Sequence, residues 1–155
     1  MIDIAAGLPQ LLPAAIAWAE EQERIYAERG RPLNDQETKL AQSIGVMQPD
    51  SVRLAVVSGL PTPTEPVLRA AANQIGLTSA AGLTLGHTIL LTQNHLKRVE
   101  LFSHEMVHVR QMERAGSLAD FLAVYLQRLF DHGYWDAPFE VEARAHEVLS
   151  GPRQR

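Results

Sequence analysis

Residues 95–115, HLKRVELFSHEMVHVRQMERA, are the stretch of this sequence from which the fold can be predicted. They predict one helix, and Gly116 supplies its C-terminal stop. Within this helix lies an HExxH sequence, whose histidines are His104 and His108. Side chains four residues apart lie one turn apart on the same face of an α-helix, so the two imidazoles can share one tetrahedral cation.

Glu105 follows the first histidine and lies about 100° round the helix from it. From there its carboxylate can reach a water molecule held by the cation without itself binding the cation. This arrangement is typical of a general base that acts on zinc-activated water. The alternative is a helix that carries HExxH by chance, with both histidines in solvent or hydrogen-bonded in the core. That alternative predicts no bound metal.

A third protein ligand has to come from another part of the chain. The sequence contains no cysteine, so this ligand must be His, Asp or Glu. A metzincin-type extension needs glycine and histidine where the chain has Gln111 and Arg114, so that subclass is excluded. The remaining candidates lie downstream of the motif and are Asp120, Asp131, His132, Asp136, Glu140, Glu142, His146 and Glu147.

Glu140 and Glu142 lie near the start of the predicted last helix. They stand beside Ala143, a small residue that lets two helices approach each other. A carboxylate presented from this part of the helix could complete a His-His-Glu site. The alternative is that both are acidic residues favoured at a helix N-terminus by the macrodipole.

The rest of the chain combines helical and extended patterns. Residues 52–58 are rich in β-branched residues and predict a strand. Residues 83–92 predict a strand that is interrupted or turned at Gly86. The second half of this stretch is apolar on both faces, as in a strand that helices cover. Asn34 and Glu37 form a capping box. Helices are predicted at residues 11–28, 34–45, 64–73, 95–115, 117–130 and 136–149, with a loop at 59–66.

Composition sets the class of protein. The chain has 155 residues, about the length of one domain, with 46% hydrophobic and 21% charged residues, which excludes wholesale disorder. A net charge of −4 argues against a dedicated nucleic-acid binder. The apolar runs are too short to span a membrane, and no basic start of a signal peptide precedes them. We therefore expect a cytoplasmic protein, although one exported whole by a specialised secretion machine would look the same.

Two segments together resemble a known family. HEMVHVRQ at residues 104–111, followed about thirty residues later by PFEVEAR at 138–144, is similar to the small gluzincin-type (minigluzincin-like) zinc metallopeptidases. In particular it resembles short HExxH domains that occur alone or attached to bacterial toxin and contractile-injection proteins. The resemblance covers roughly residues 83–147. It implies an α+β, zincin-like fold with a small sheet, a metal helix and a C-terminal helix that delivers the third ligand.

The resemblance also implies roles for single residues. Gluzincins commonly take the third ligand from the Glu of an ExxA segment followed by Asp or Asn. Glu140 and Ala143 match that segment, whereas Arg144 departs from the acidic or amide residue. The implied zinc ligands are therefore His104, His108 and Glu140, and the implied general base is Glu105.

Three points stay open. Helical projection places Glu142 nearer than Glu140 to an apolar face, so Glu142 is the alternative third ligand; that face is formed by Val141, Ala145, Val148 and Leu149. In the gluzincin-like plan an edge strand lies along the cleft and pairs with extended peptide. Residues 86–92 are the candidate, and the alternative is that they form an ordinary strand of the sheet. His132 and Tyr134 could approach the site and polarise a substrate carbonyl.

Together these observations predict one zincin-like domain over residues 1–155. Residues 1–50 are expected to be a helical addition to a minimal metallopeptidase core at 51–150. The predicted function is zinc-dependent hydrolysis of a peptide or protein substrate, with neither nucleic acid nor membrane as a partner. The alternative is a non-catalytic binding or accessory module stabilised by zinc, which an obstructed cleft or the lack of an open metal position would favour.

Overall fold

Helices make up most of the structure, a computed structural model that describes residues 4–96 and 98–147. Over these residues the fold is α+β, with six α-helices and one mixed sheet of four strands. The helices are α1 (Ile4–Arg29), α2 (Asp35–Ile44), α3 (Pro66–Gln74), α4 (Val99–Ala115), α5 (Leu118–His132) and α6 (Pro138–Ala145). The strands are β1 (Arg31–Pro32), β2 (Arg53–Val57), β3 (Gly82–Leu85) and β4 (Thr88–Thr92).

β4 is the most deeply buried strand of the sheet. The strand order is β1-β2-β4-β3, and β4 runs parallel to β2 and antiparallel to β3. Leu54 lies opposite Ile89, and Leu83 lies opposite Leu90. Ile89, Leu90 and Leu91 are fully buried. This confirms the prediction that the apolar half of residues 83–92 forms a strand covered on both faces.

The expectation that residues 86–92 form an edge strand is wrong. Gly86 adopts a φ of +65°, which lies in the left-handed region that glycine favours. The chain therefore turns back on itself within the predicted stretch and forms a hairpin of β3 and β4. Over the described residues β3 lies at the edge of the sheet, whereas β4 lies between β2 and β3.

Helices cover both faces of the sheet. On one face, Ile89 and Leu91 pack in a cluster with Met106 of α4 and with apolar residues of α2 and α6. On the other face, Leu90 packs with Ala19 of α1 and with the start of α5. The sheet therefore holds α4 on the opposite side from α1.

α1 is longer than the sequence predicts, because it begins at Ile4 rather than at residue 11. It continues through Pro9 and Pro13, each of which removes one helical N–H donor. Both prolines are exposed and lie four residues apart on one face. The face that carries Leu8 and Ala19 is buried against the rest of the protein.

Other helix boundaries differ from the prediction by a few residues. α4 begins at Val99 rather than at residue 95, and residues 93–95 form a 3-10 turn. α5 begins after Ser117, whose side chain accepts from the backbone of Asp120, as predicted. α6 ends at Ala145, so residues 146–147 are not helical as predicted, and residues 148–149 of its predicted extent lie outside the described residues.

The N-terminal helices contribute to both of the core clusters that flank the sheet. Ala19 of α1 belongs to the cluster on one face of the sheet, and Ala41 of α2 belongs to the cluster around α4. The division of the chain into an addition and a minimal core stays a prediction. Among the described helices, none has the length and hydropathy needed to cross a membrane.

The predicted capping box at the start of α2 is present. Glu37 N donates to Asn34 Oδ1, and Asn34 N donates to Glu37 Oε1, both over 2.8 Å. We expect Asn34→Ala to lower the free energy of unfolding by about 1 kcal/mol, because alanine leaves the Glu37 amide without its acceptor. The matched control is Gln36→Ala, an exposed position in the same turn, which should change it by less than about 0.5 kcal/mol. Urea unfolding measures both, and equal losses would contradict the capping role.

Candidate metal centre

The middle of α4 is buried on all sides. Residues 102–112 are all buried, because the sheet, α2, α5 and α6 pack around this helix. His104, Glu105 and His108 are 6%, 5% and 7% exposed. Polar side chains at this depth need hydrogen-bonding partners. Those partners define the site.

The Glu140 carboxylate lies between the two imidazoles. Its Oε1 is 2.9 Å from His104 Nε2, and its Oε2 is 3.1 Å from His108 Nε2. One ligand atom from each of the three residues lies within 4.8 Å of the others. Glu140 is 1% exposed and comes from the first turn of α6, which packs on α4. The structure therefore brings together the three residues that the sequence predicts as metal ligands.

The second nitrogen of each imidazole also has a partner. His104 Nδ1 lies 2.9 Å from Glu147 Oε2, and His108 Nδ1 lies 2.7 Å from Gln111 Oε1. Metal-binding histidines characteristically donate this second ring N–H to a carboxylate, carbonyl or water, which fixes the orientation of the ring. Both rings are therefore held with Nε2 directed at Glu140.

The orientation of the Gln111 amide follows from its other contacts. Its Nε2 donates to the Phe139 carbonyl over 3.0 Å and to Glu142 Oε1 over 2.9 Å. The amide oxygen is thus the atom that faces His108. Because an amide oxygen only accepts hydrogen bonds, His108 Nδ1 carries the proton. This leaves His108 Nε2 as the nitrogen that can bind a metal.

The charges of the cluster stabilise one another. Burial opposes ionisation of Glu140, but hydrogen bonds from His104 and His108 outweigh it and hold the pKa of Glu140 well below its usual range. Burial likewise acts to lower the pKa of His108, but the hydrogen bond and the charge of Glu140 raise that pKa to about 9. Burial also acts to lower the pKa of His104, but the hydrogen bond with Glu140 and the charge of Glu105 outweigh it and raise that pKa. The buried carboxylate therefore needs positive charge beside it, from protonated imidazoles or from a cation.

The donor set fits a divalent cation. Two imidazole nitrogens and one carboxylate oxygen are the ligand atoms of catalytic His₂Glu sites. Among the described residues, no further His, Asp or Glu joins the group of His104, His108 and Glu140. Three protein ligands leave one position of a tetrahedral cation to water or substrate.

Two tyrosines border the cluster. Tyr125 of α5 donates its hydroxyl to Glu140 Oε2 over 2.7 Å, and burial together with the Glu140 charge raises the pKa of Tyr125 well above its usual value. Tyr134 lines the cavity beside the cluster, and burial and the same carboxylate raise its pKa as well. Both therefore stay neutral donors at physiological pH. His132 is exposed and does not line this cavity.

Glu105 is held by the edge strand β3. Thr84 Oγ1 lies 2.8 Å from Glu105 Oε1 and 3.1 Å from the Glu105 backbone oxygen. A Cβ atom at Gly82 would lie 3.2 Å from both Cγ and Oε2 of Glu105, so a glycine at this position lets β3 approach the carboxylate closely. Glu105 itself stays outside the group of three candidate ligands.

A cavity of about 180 Å³ opens onto these residues. His104, Glu105, His108 and Glu140 line one part of it. Apolar side chains of α1, α3, β3 and α5 line the rest. A molecule in the cavity would therefore contact the candidate metal ligands and an apolar wall at the same time.

The other candidates for the third ligand have different partners or positions. Glu142 accepts from Gln111 and pairs with Arg110 over 3.1 Å. Glu147 lies on the Nδ1 side of His104, away from Glu140. The remaining candidates are outside the group that could hold a metal ion, namely Asp120, Asp131, His132, Asp136 and His146.

Sequence analysis missed three residues of the site: Gln111, Tyr125 and Thr84. Gln111 follows His108 by three residues on the same helix face, so helical spacing alone could have identified it. Tyr125 and Thr84 belong to α5 and β3 and reach the site through tertiary packing, which no local sequence pattern reports.

Comparison of the chain with protein-family models, curated protein sequences and solved structures found no match. The functional interpretation therefore depends on the geometry of the site.

The two candidate carboxylates of α6 can be separated by zinc affinity. We expect Glu140→Ala to abolish stoichiometric zinc binding, because it removes a ligand atom directly. Glu142→Ala should weaken zinc affinity by no more than about 100-fold, because Glu142 reaches the cluster only through Gln111. Elemental analysis after dialysis against a zinc buffer measures both.

His104→Ala is the positive control for loss of zinc, and circular dichroism verifies that each variant is folded. Equal zinc losses in the two glutamate variants, or a larger loss in Glu142→Ala, would contradict Glu140 as the third ligand.

Proposed function

We propose that this chain is a zinc-dependent metallopeptidase with a zincin-like fold. His104, His108 and Glu140 hold the zinc ion in this proposal, and Glu105 is the general base. The observation that carries it is the convergence of three buried ligand atoms beside Glu105, on the wall of one cavity. The His₂Glu donor set is the one that catalytic zinc sites of this motif use.

A bound zinc ion supplies a Lewis acid that polarises a peptide carbonyl and makes water more acidic. Glu105 accepts a proton from the attacking water and then passes it to the leaving amine. The hydrogen bond from Thr84 restricts rotation of the Glu105 carboxylate, so its position is set before substrate binds. Tyr134, a neutral donor on the cavity wall, can stabilise the carbonyl oxygen as negative charge develops on it.

The position of β3 supports a peptide as the substrate. β3 pairs with β4 on one side, and over the described residues it is the last strand of the sheet on the other. An extended peptide can add to such an edge through main-chain hydrogen bonds. All four residues of β3 line the cavity that contains the candidate metal ligands. A peptide on this edge would therefore lie along the site.

Glu105→Gln tests the proposed chemistry without removing a metal ligand. We expect this variant to keep stoichiometric zinc and its thermal stability, and to lose hydrolysis by about 10²–10⁴-fold, because glutamine cannot accept the proton. Digestion of a broad peptide mixture, analysed by mass spectrometry, measures wild type and variant side by side. The matched control is Glu28→Gln, whose side chain is 75% exposed on α1 and which should cleave like wild type.

Identical products from zinc-loaded wild type and Glu105→Gln would overturn the peptidase proposal. Zinc binding without any cleavage would instead favour a non-catalytic module that zinc stabilises.

A further inference from the structure

The cavity has a polar part and an apolar part. The polar part contains the candidate metal ligands and Glu105. The apolar part is walled by side chains from α1, α3, β3 and α5, among them Leu11, Ala15, Leu68, Ala72, Leu83 and Leu126. No residue of the metal cluster needs this second part in order to bind a cation. The apolar lining of this second part therefore requires a separate explanation.

We infer that the apolar part receives one large apolar side chain, aromatic or branched aliphatic, of a peptide bound along β3. In this inference α1 is a wall of the binding site. The inference rests on the proposed peptidase function for the identity of the peptide, whereas the capacity of the cavity for an apolar group can be tested without it.

The size of the cavity limits its occupant. The volume of the whole cavity, its polar and apolar parts together, is about 180 Å³, similar to that of protein cavities of about 150 Å³ that accept benzene. It therefore has room for a single aromatic ring or a branched aliphatic group. A larger occupant would extend out of the opening of the cavity into solvent.

The lining of the cavity disfavours a charged occupant. Among its lining residues, the carboxylates and imidazoles are those of His104, Glu105, His108 and Glu140, which all belong to the polar part. The lining hydroxyls also belong to the polar part, because Thr84 is bonded to Glu105, and Tyr125 and Tyr134 lie beside Glu140. A charged side chain in the apolar part would lose its hydration without gaining a partner.

The alternation of β3 directs a side chain into the apolar part. Leu83 and Leu85 pack in the cluster that contains Ala19 of α1, whereas Thr84 bonds to Glu105 of α4. Successive side chains of a strand point to opposite faces of the sheet. A peptide strand added to β3 has the same alternation, so every second side chain points to the side of α1 and α5.

Part of the cavity wall comes from one stripe of α1. Leu11, Ala15 and Trp18 line it at a spacing of four and three residues, which places them on one helix face. Ala17 lies on a different face and is exposed. A larger residue at position 15 should therefore occupy the cavity, whereas the same residue at position 17 should extend into solvent.

Toluene, the side-chain analogue of phenylalanine, is the first probe. We expect ligand-observed NMR to detect toluene binding to wild type and to Ala17→Phe, and to show its loss in Ala15→Phe. Leu11→Trp serves as a second filling variant if Ala15→Phe does not fold. Binding by neither wild type nor control, or equal binding by wild type and a folded filling variant, would overturn the inference.

The second experiment tests the peptide. Zinc-loaded protein digests a set of pentapeptides that differ at one position, which is Leu, Phe, Ala, Asp or Lys. We expect wild type and Ala17→Phe to cleave beside Leu or Phe at least about 10-fold faster than beside Asp or Lys. Ala15→Phe should lose the preference for the large apolar residues over alanine.

The outcomes separate the two proposals. Cleavage without any preference at the varied position would overturn the pocket and leave the peptidase intact. Toluene binding with the expected variant pattern, but no cleavage of any peptide, would overturn the peptidase and leave the cavity as a site for apolar groups.

Discussion

The buried carboxylate of Glu140 is the constraint on which the arrangement of the C-terminal half depends. A carboxylate with 1% exposure is strongly unfavourable unless positive charge and hydrogen bonds surround it. His104 contacts one oxygen of this carboxylate and His108 contacts the other. Tyr125 donates a hydrogen bond to the oxygen that His108 contacts. These contacts join α6 and α5 to α4, so one charge fixes how three helices pack.

The polar residues of α4 extend this constraint through the core. Arg110 donates to the Ile44 carbonyl at the end of α2 and pairs with Glu142 of α6. Gln111 joins His108 to the backbone of Phe139 at the start of α6. A fully buried helix would ordinarily carry apolar side chains all round. Here polar side chains take that place, and Arg110 and Gln111 bond to neighbouring helices, although the Nε atom of Arg110 is buried without a partner.

Local signals account for most of the fold that could be predicted. The capping residues Asn34 and Ser117 fixed the starts of α2 and α5, because a side-chain acceptor for the first helical N–H groups acts within one turn. The spacing of His104 and His108 identified the helix that carries two of the candidate metal ligands, because side chains four residues apart lie one turn apart on one face. By contrast, the edge position of β3 depends on which strands pair, and α1 extends through Pro9 because its other face is packed. Neither property is encoded within a short window.

The choice between Glu140 and Glu142 shows why an apolar face is a poor guide for a short helix. Projection placed Val141 and Ala145 on the presumed buried side, yet both are exposed. The face that packs on α4 carries Glu140 and Ala143, which lie three residues apart and are 1% and 0% exposed. Ala143 allows the close approach of the two helices, and the imidazoles make burial of the carboxylate favourable. On an eight-residue helix, one well-paired charge outweighs two small apolar side chains, so the partner on the neighbouring helix decides which face is buried.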